Sequence, residues 1–237
     1  MNCVLLKMGG SGTRCGQEIP KQFVDICGKP LFVHVLEMYA KVECIDCFII
    51  VTNPDWLDYT QNEAKKILGN KLIGVVGGGT TNPRSTYNGF LLATEFLHDE
   101  DILLIHDVTD PIICANAIKE CIIACQEYGC AAVITEQVHT LYMKDEYGFV
   151  TSTISKNIVG SGYSPEAFKM HIIKKCFAEV SDDNLNKMTS AISIAIASGM
   201  KPKAVISHQL DIKVTYREDI ESLRVFFKDK CMPLTYV

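Results

Sequence analysis

Two groups of residues have types and spacings suited to chemistry on phosphates. The first is Gly9-Gly10-Ser11-Gly12-Thr13-Arg14, followed by Pro20-Lys21-Gln22. Glycines among small neighbours let the backbone turn tightly and bring its amides against phosphate oxygens, while Arg14 and Lys21 add positive charge. The Walker spacing ending in Gly-Lys-Ser/Thr is absent, and the dinucleotide pattern fails because Cys15 stands where its last glycine belongs. A structural turn would explain the glycines alone, but the Pro-Lys-Gln that follows favours a cradle for a nucleoside triphosphate. The second group is His106-Asp107, at the end of the apolar run 102–105. That position commonly presents a carboxylate at the carboxyl edge of a parallel sheet.

Other reactive side chains have plainer explanations beside the functional ones. His106 has two readings of equal weight: it caps the loop after a buried strand, or it acts beside Asp107. His34 falls on an amphipathic helix and reads as a packing or surface residue. Asp182-Asp183 suits a helix start better than a metal pair. Glu18 and Asp25 read as solvent-facing. Cys44 and Cys47 have redox or zinc spacing, but Cys47 opens an apolar run and no second pair follows, so packing is expected. No Gly-x-Ser-x-Gly elbow supports hydrolase chemistry.

Apolar runs of strand length alternate with segments of helical period, the pattern of a mostly parallel sheet covered by helices on both faces. Strands are expected at 3–8, 47–52, 71–76, 102–105, 131–135 and 203–207, with a short one at 211–214. Helices are expected at 31–41, from about 54, at 85–98 with Ser85 as its cap, at 114–128, 167–180 and 185–198, and from about 217. Residues 141–144 and 149–153 flank Asp145-Glu146-Tyr147-Gly148 and read as a β-hairpin projecting from the domain. A lone hairpin is marginal in water, so a second subunit is the expected support. The whole, 1–237, reads as one α/β domain with a β-arm at about 138–155.

Composition narrows the partners. The net charge of -5 gives no overall basic field for nucleic acid or anionic lipid. The 48% apolar content is ample for a continuous core. Eleven cysteines, scattered and odd in number, read as reduced thiols of a cytoplasmic protein. Neither a signal peptide nor a membrane span is expected.

The glycine loop belongs to a longer ordered series: Pro20-Lys21-Gln22-Phe23, Gly28-Lys29-Pro30 with His34, Gly78-Gly79 through Ser85, Asn88-Gly89, His106-Asp107 with Pro111, and Asp211-Ile212-Lys213-Val214-Thr215 before Glu218-Asp219. In this order the chain resembles, over nearly its whole length, the sugar-nucleotide pyrophosphorylase-like nucleotidyltransferases. Within them it resembles the polyol-phosphate cytidylyltransferases acting on ribitol 5-phosphate or methylerythritol phosphate. The paired glycine opening the loop is nearer the ribitol branch. The resemblance implies a Rossmann-like nucleotidyltransferase fold and transfer of CMP from CTP to a polyol phosphate with release of pyrophosphate. It implies that Gly9, Gly10, Gly12, Thr13, Gly79 and Ser85 bind CTP, that Arg14, Lys21 and Lys213 are catalytic, and that Asp107 holds Mg²⁺. Lys156, Ser164 and Thr189 fall on the side that receives the polyol phosphate, and the β-arm matches the one through which relatives form homodimers.

The departures from that pattern cluster on the substrate side. His-Asp-x-x-Arg-Pro of the family is here His106-Asp107-Val108-Thr109-Asp110-Pro111, an anion for a cation. Such a reversal is worth about 1 kcal/mol per contact in water and several-fold more in a partly desolvated pocket. The arginine that follows Gly78-Gly79 in the family aligns with Asn82, with Arg84 close by. Lys156 replaces an arginine, Ser164-Pro165-Glu166 replaces Thr-Pro-Gln, and Thr189-Ser190-Ala191 replaces a Thr-Asp motif. Two readings follow: a different alcohol phosphate is accepted, or the fold binds nucleotide without catalysis. An NAD-dependent redox domain is disfavoured by Cys15 and by the lack of a clear acidic residue after the second strand.

Overall fold

The computed structural model describes residues 1–10, 19–208, 210 and 212–228. Gly12, Thr13 and Arg14 of the glycine loop, with Ser11, Cys15 and Glu18, lie outside the described residues, as does Asp211.

A seven-stranded sheet is built from β1 (Asn2–Met8), β4 (Cys47–Thr52), β5 (Leu72–Gly77), β6 (Ile102–Asp107), β7 (Cys130–Glu136), β10 (Gly160–Lys169) and β11 (Lys203–Ser207). Its order is β11-β7-β10-β6-β1-β4-β5, with β10 antiparallel to both neighbours and the other pairs parallel. Strands β1, β4 and β6 are apolar on both sides because both sides are covered. In β1, Val4 and Leu6 join one core with Phe48 and Ile50, while Cys3 and Leu5 join the other with Ile49 and Val51. Helices α1 (Leu31–Tyr39), α2 (Leu57–Leu68) and α4 (Ala115–Tyr128) cover the first face. Helices α3 (Asn82–Phe96), α5 (Met170–Glu179) and α7 (Ala191–Ala197) cover the second. Gly89 lets α3 approach closely: a Cβ there would stand 2.6 Å from both Leu5 and Val51.

Two small hairpins complete the frame. The pair β2 (Asp25–Ile26) and β3 (Lys29–Pro30) packs beneath α8 (Arg217–Lys228) in a separate apolar cluster of Val24, Ile26, Leu31, Ile112, Val214, Ile220 and Leu223. That cluster carries residues 212–215 back to the mouth of the sheet. The pair β8 (Leu141–Lys144) and β9 (Val150–Ile154) bonds only with itself, forming the expected arm. Its surroundings leave Tyr147, Phe149, Val150 and Ile158 at least 65% exposed. None of the helices among the described residues is long and apolar enough to cross a membrane.

Four expectations need correction. The helix expected from 167 begins only at Met170, and the segment 160–169, for which no strand was expected, is a strand inside the sheet. On this strand Ser164 accepts from the Asp107 amide of β6 and Glu166 from the Ala191 amide of α7, partners that tertiary context alone supplies. The helix expected at 185–198 is two pieces, α6 (Asp182–Leu185) and α7, because Ser190 forms a capping box with Ser193 and restarts the helix. Helix α3 starts earlier than expected, capped by the Thr81 hydroxyl rather than by Ser85. The short strand expected at 211–214 does not form over its described residues, 212–214.

Candidate active site

The strand order places the site. From β1 the chain proceeds to β4 and β5 on one side, then crosses to β6 on the other. The carboxyl ends of β1 and β6 therefore flank the crevice where the winding direction reverses, the place where open α/β sheets bind ligands. Lys7 and Asp107 are register partners across this crevice.

A cleft of about 450 Å³ opens above it, lined by Gly9, Gly10, Lys21, Gly79, Ser85, Asp107 and Lys213 among others. The two glycine segments abut: a Cβ on Gly9 would stand 3.1 Å from the Cα of Gly78 and from the Ser85 hydroxyl. That hydroxyl accepts from the Gly79 amide at 3.1 Å and donates to the Thr81 carbonyl, so Ser85 shapes the loop instead of capping the helix. Gln22 is buried and donates to the carbonyls of Met8 and Gly10, tying the start of the glycine loop to the Pro-Lys-Gln turn. Lys21 donates to the Val214 carbonyl at 2.6 Å, which brings the tail and Lys213 over the same cleft.

A second pocket of about 440 Å³ adjoins the first and shares Lys7, Asp107 and Lys213 with it. Ser164, Thr189, Asp110, Tyr163 and Glu166 line it. Asp110 is 3% exposed. It accepts from the Lys213 ammonium at 2.9 Å and from the Ser164 hydroxyl at 2.6 Å. The Ser164 oxygen in turn accepts from the Asp107 amide at 3.0 Å. Lys156 lines neither pocket; it donates to the Val138 carbonyl at the base of the arm. Arg84, near enough in sequence to stand in for the arginine missing at 82, instead pairs with Asp182 at 2.8 Å and lines neither pocket.

The charges are mutually supporting. Burial would raise the Asp107 carboxyl, but the ammoniums of Lys7 at 3.9 Å and Lys213 at 3.8 Å outweigh it and hold the group below its ordinary value. Burial works against the charge on Lys213, yet the carboxylates of Asp110 and Asp107 raise its pKa above the ordinary value. Burial lifts both Asp110 and Glu166. The result is an ionised carboxylate facing the cleft between two ammoniums.

His106 takes the first of its two readings. It is 1% exposed; one ring nitrogen meets the Asp110 carbonyl at 2.9 Å and the other the Tyr39 hydroxyl at 2.8 Å. The carbonyl requires an N–H, so the tautomer assigned from these partners accepts from Tyr39. Burial pulls its pKa from 6.5 down to about 4. Below pH 6.5 the unfolded chain therefore binds a proton that the folded chain refuses, and stability falls by up to about 3 kcal/mol as pH drops from 6.5 towards 4. Denaturant melts of wild type and His106→Gln across that range should show a shallower acid limb in the variant; parallel limbs would contradict the assignment. His34 likewise packs, meeting the Ile26 carbonyl and stacking on Phe227.

The comparison with known sequences decides the lineage. The profile for 2-C-methyl-D-erythritol 4-phosphate cytidylyltransferase matches residues 2–228. The chain belongs to this cytidylyltransferase family. Solved structures with the same fold include 4-diphosphocytidyl-2C-methyl-D-erythritol synthase from Anaerococcus prevotii, at 21% identity and a TM-score of 0.79 over 96% of each chain. The 2-C-methyl-D-erythritol 4-phosphate cytidylyltransferase of Francisella tularensis aligns at 20% identity and 0.76, covering 93% of this chain and 97% of that one. That of Thermus thermophilus aligns at 17% and 0.73, covering 96% and 100%. As a member of this nucleotidyltransferase family the chain has one feature that its sequence did not advertise. Lys7, read only as part of the first strand, sits at the junction of both pockets with its side chain 7% exposed. The signal was available: a lysine inside an otherwise apolar strand must find partners when the strand is buried.

Proposed function

We propose that this chain transfers CMP from CTP to a polyol phosphate, releasing pyrophosphate. The family match over residues 2–228 carries the reading, supported by a cleft that gathers the glycine segments with Lys21, Asp107 and Lys213. In this reading Gly9, Gly10, Gly79 and Ser85 face the nucleotide, with Gly12 and Thr13 beside them in the loop. An oxygen of the acceptor phosphate attacks the α-phosphorus in line, and the bond from that phosphorus to the bridging oxygen breaks. Lys21, Lys213 and Arg14 offset the charge that develops on the phosphates, the kind of positioning and neutralisation that such transfers require. The adjoining pocket of Ser164 and Thr189 receives the acceptor.

The residues present suit Mg²⁺. Asp107 is the carboxylate lining the glycine-loop cleft, and its two ammonium neighbours keep it ionised. No group of three metal-ligating side chains occurs among the described residues. One carboxylate, with phosphate oxygens and water completing the shell, is how Mg²⁺ is commonly held at nucleotides. When bound, the ion would neutralise phosphate charge and help orient the triphosphate.

Two acceptors remain in contention. The Gly9-Gly10 pair favours ribitol 5-phosphate, while the family match favours methylerythritol phosphate equally. The exposed apolar arm supports a homodimer in which Lys156 reaches the partner's acceptor pocket. Purified protein with CTP, Mg²⁺ and each polyol phosphate in turn should release pyrophosphate with one of them. If no acceptor exceeds a Lys21→Ala control while CTP still binds, the silent nucleotide-binding reading replaces this one.

A further inference from the structure

We infer that Lys7 is a phosphate-binding cation of this chain, supplied from strand β1 in place of the arginine that position 82 lacks. The Lys7 ammonium donates to the Asn82 side-chain oxygen at 2.6 Å, so its charge stands against the very position that carries asparagine here. Asn82 is the first residue of α3, and the helix start faces the glycine-loop cleft along with Thr80 and Thr81. A cation reaching this spot from beneath can occupy the space of one reaching it from above.

The partners of Lys7 are fewer than a buried ammonium requires for its own stability. Three donors point from the nitrogen. Among the described residues one is taken by Asn82, and the nearest carboxylate, Asp107, is 3.9 Å away, beyond hydrogen-bond distance. Lysine is almost never buried without full pairing, because a desolvated ammonium left short of acceptors is destabilising. The remaining donors border both pockets, so an oxygen anion at their junction completes the coordination of Lys7. The inference rests on the proposed nucleotide site: the junction is where a phosphorus shared between the leaving and attacking groups would lie. Lys7, Lys21 and Lys213 then surround that phosphorus from the strand, the loop and the tail.

Lys7→Met keeps length and apolar stem while removing the charge, and Asn82→Arg restores a cation from the helix side. Binding of inorganic tripolyphosphate and of CTP is measured by calorimetry for wild type, K7M, and K7M/N82R, with thermal melts of each. Removing one charge-assisted contact should weaken tripolyphosphate about 10- to 100-fold in K7M, and the added arginine should recover at least a third of that loss on a logarithmic scale. A purely structural lysine would lower the melting temperature without this anion-specific loss, and N82R would not restore binding. Equal tripolyphosphate affinity in wild type and K7M, or none in either, overturns the inference. Wild type that binds tripolyphosphate in a Lys7-dependent way but fails to bind CTP would sink the nucleotide assignment and leave Lys7 as a polyphosphate ligand. If K7M does not fold, Lys7→Arg and N82R alone decide: both should bind tripolyphosphate at least as tightly as wild type, and weaker binding by both counts against the inference.

Discussion

Asp107→Asn should lower kcat/KM for cytidylyl transfer by about 10²- to 10³-fold, the scale seen when a single preorganised electrostatic contact to a transition state is removed. Asparagine fills the same volume and leaves the backbone amide free to donate to Ser164, so the fold should be retained. What changes is charge. Among the described residues, the carboxylate between Lys7 and Lys213 is the one that lines the glycine-loop cleft, and its loss leaves two ammoniums facing each other with no anion between them. In the proposed chemistry a hard cation would then lose its protein ligand, and the Mg²⁺ concentration needed for half-maximal rate should rise together with the fall in rate. A variant retaining more than a tenth of wild-type activity at unchanged Mg²⁺ demand would remove Asp107 from the proposed chemistry.

Asp110→Arg, which would restore the family's residue, should instead destabilise the protein by about 3 kcal/mol or more. The carboxylate is buried and holds Lys213 and Ser164, and Ser164 holds the Asp107 amide. An arginine at this 3% exposed position is a buried cation with no anion to pair with, which typically costs about 3 to 5 kcal/mol, and it also repels Lys213. Asp110→Asn is the control: it keeps the shape and an acceptor for Ser164, and Lys213 is half exposed, so a loss of about 1 kcal/mol is expected. Denaturant melts separate the two. If D110R were as stable as wild type, the surrounding network would not depend on the anion, and the departure from the family at this position would be incidental.

Much of the frame could be read from the sequence because its inner strands are buried on both faces. The run 47–52 is bounded where the structure bounds it, since a continuous apolar stretch between polar turns has few other ways to fold, and the mostly exposed edge strand 203–207 also keeps its expected bounds. Strand β10 carried the opposite signals: Gly160, Gly162 and Pro165 interrupt it, and its register shifts between Tyr163 and Glu166. Proline and glycine argue against a central strand unless an irregularity accommodates them, and that irregularity is a property of the sheet, not of the segment. At the site, the described residues Gly9, Gly10, Gly79 and Ser85 line one cleft with Lys21, Asp107 and Lys213. Ser164 lines the expected pocket, but its hydroxyl is already committed to Asp110. Lys7 escaped notice because a strand pattern records which positions are apolar and says nothing of where the exception's charge will emerge.

The position of β10 also bears on the order in which the chain can assemble as it is synthesised. Strands β1, β4, β5 and β6 are contiguous in the sheet, so the first 107 residues contain all four members of a parallel block, including the register pair Lys7 and Asp107. Strand β7 has no native neighbour in that block; both of its partners, β10 and β11, are encoded later. Helix α4, made just before it, can already cover one of its faces, but its backbone edges must wait unpaired until residue 169 has emerged. One edge of the crevice is thus available early, whereas the half that brings Ser164 and Lys213 closes last, and a pause between β7 and β10 is the interval in which an exposed strand could pair with the wrong neighbour.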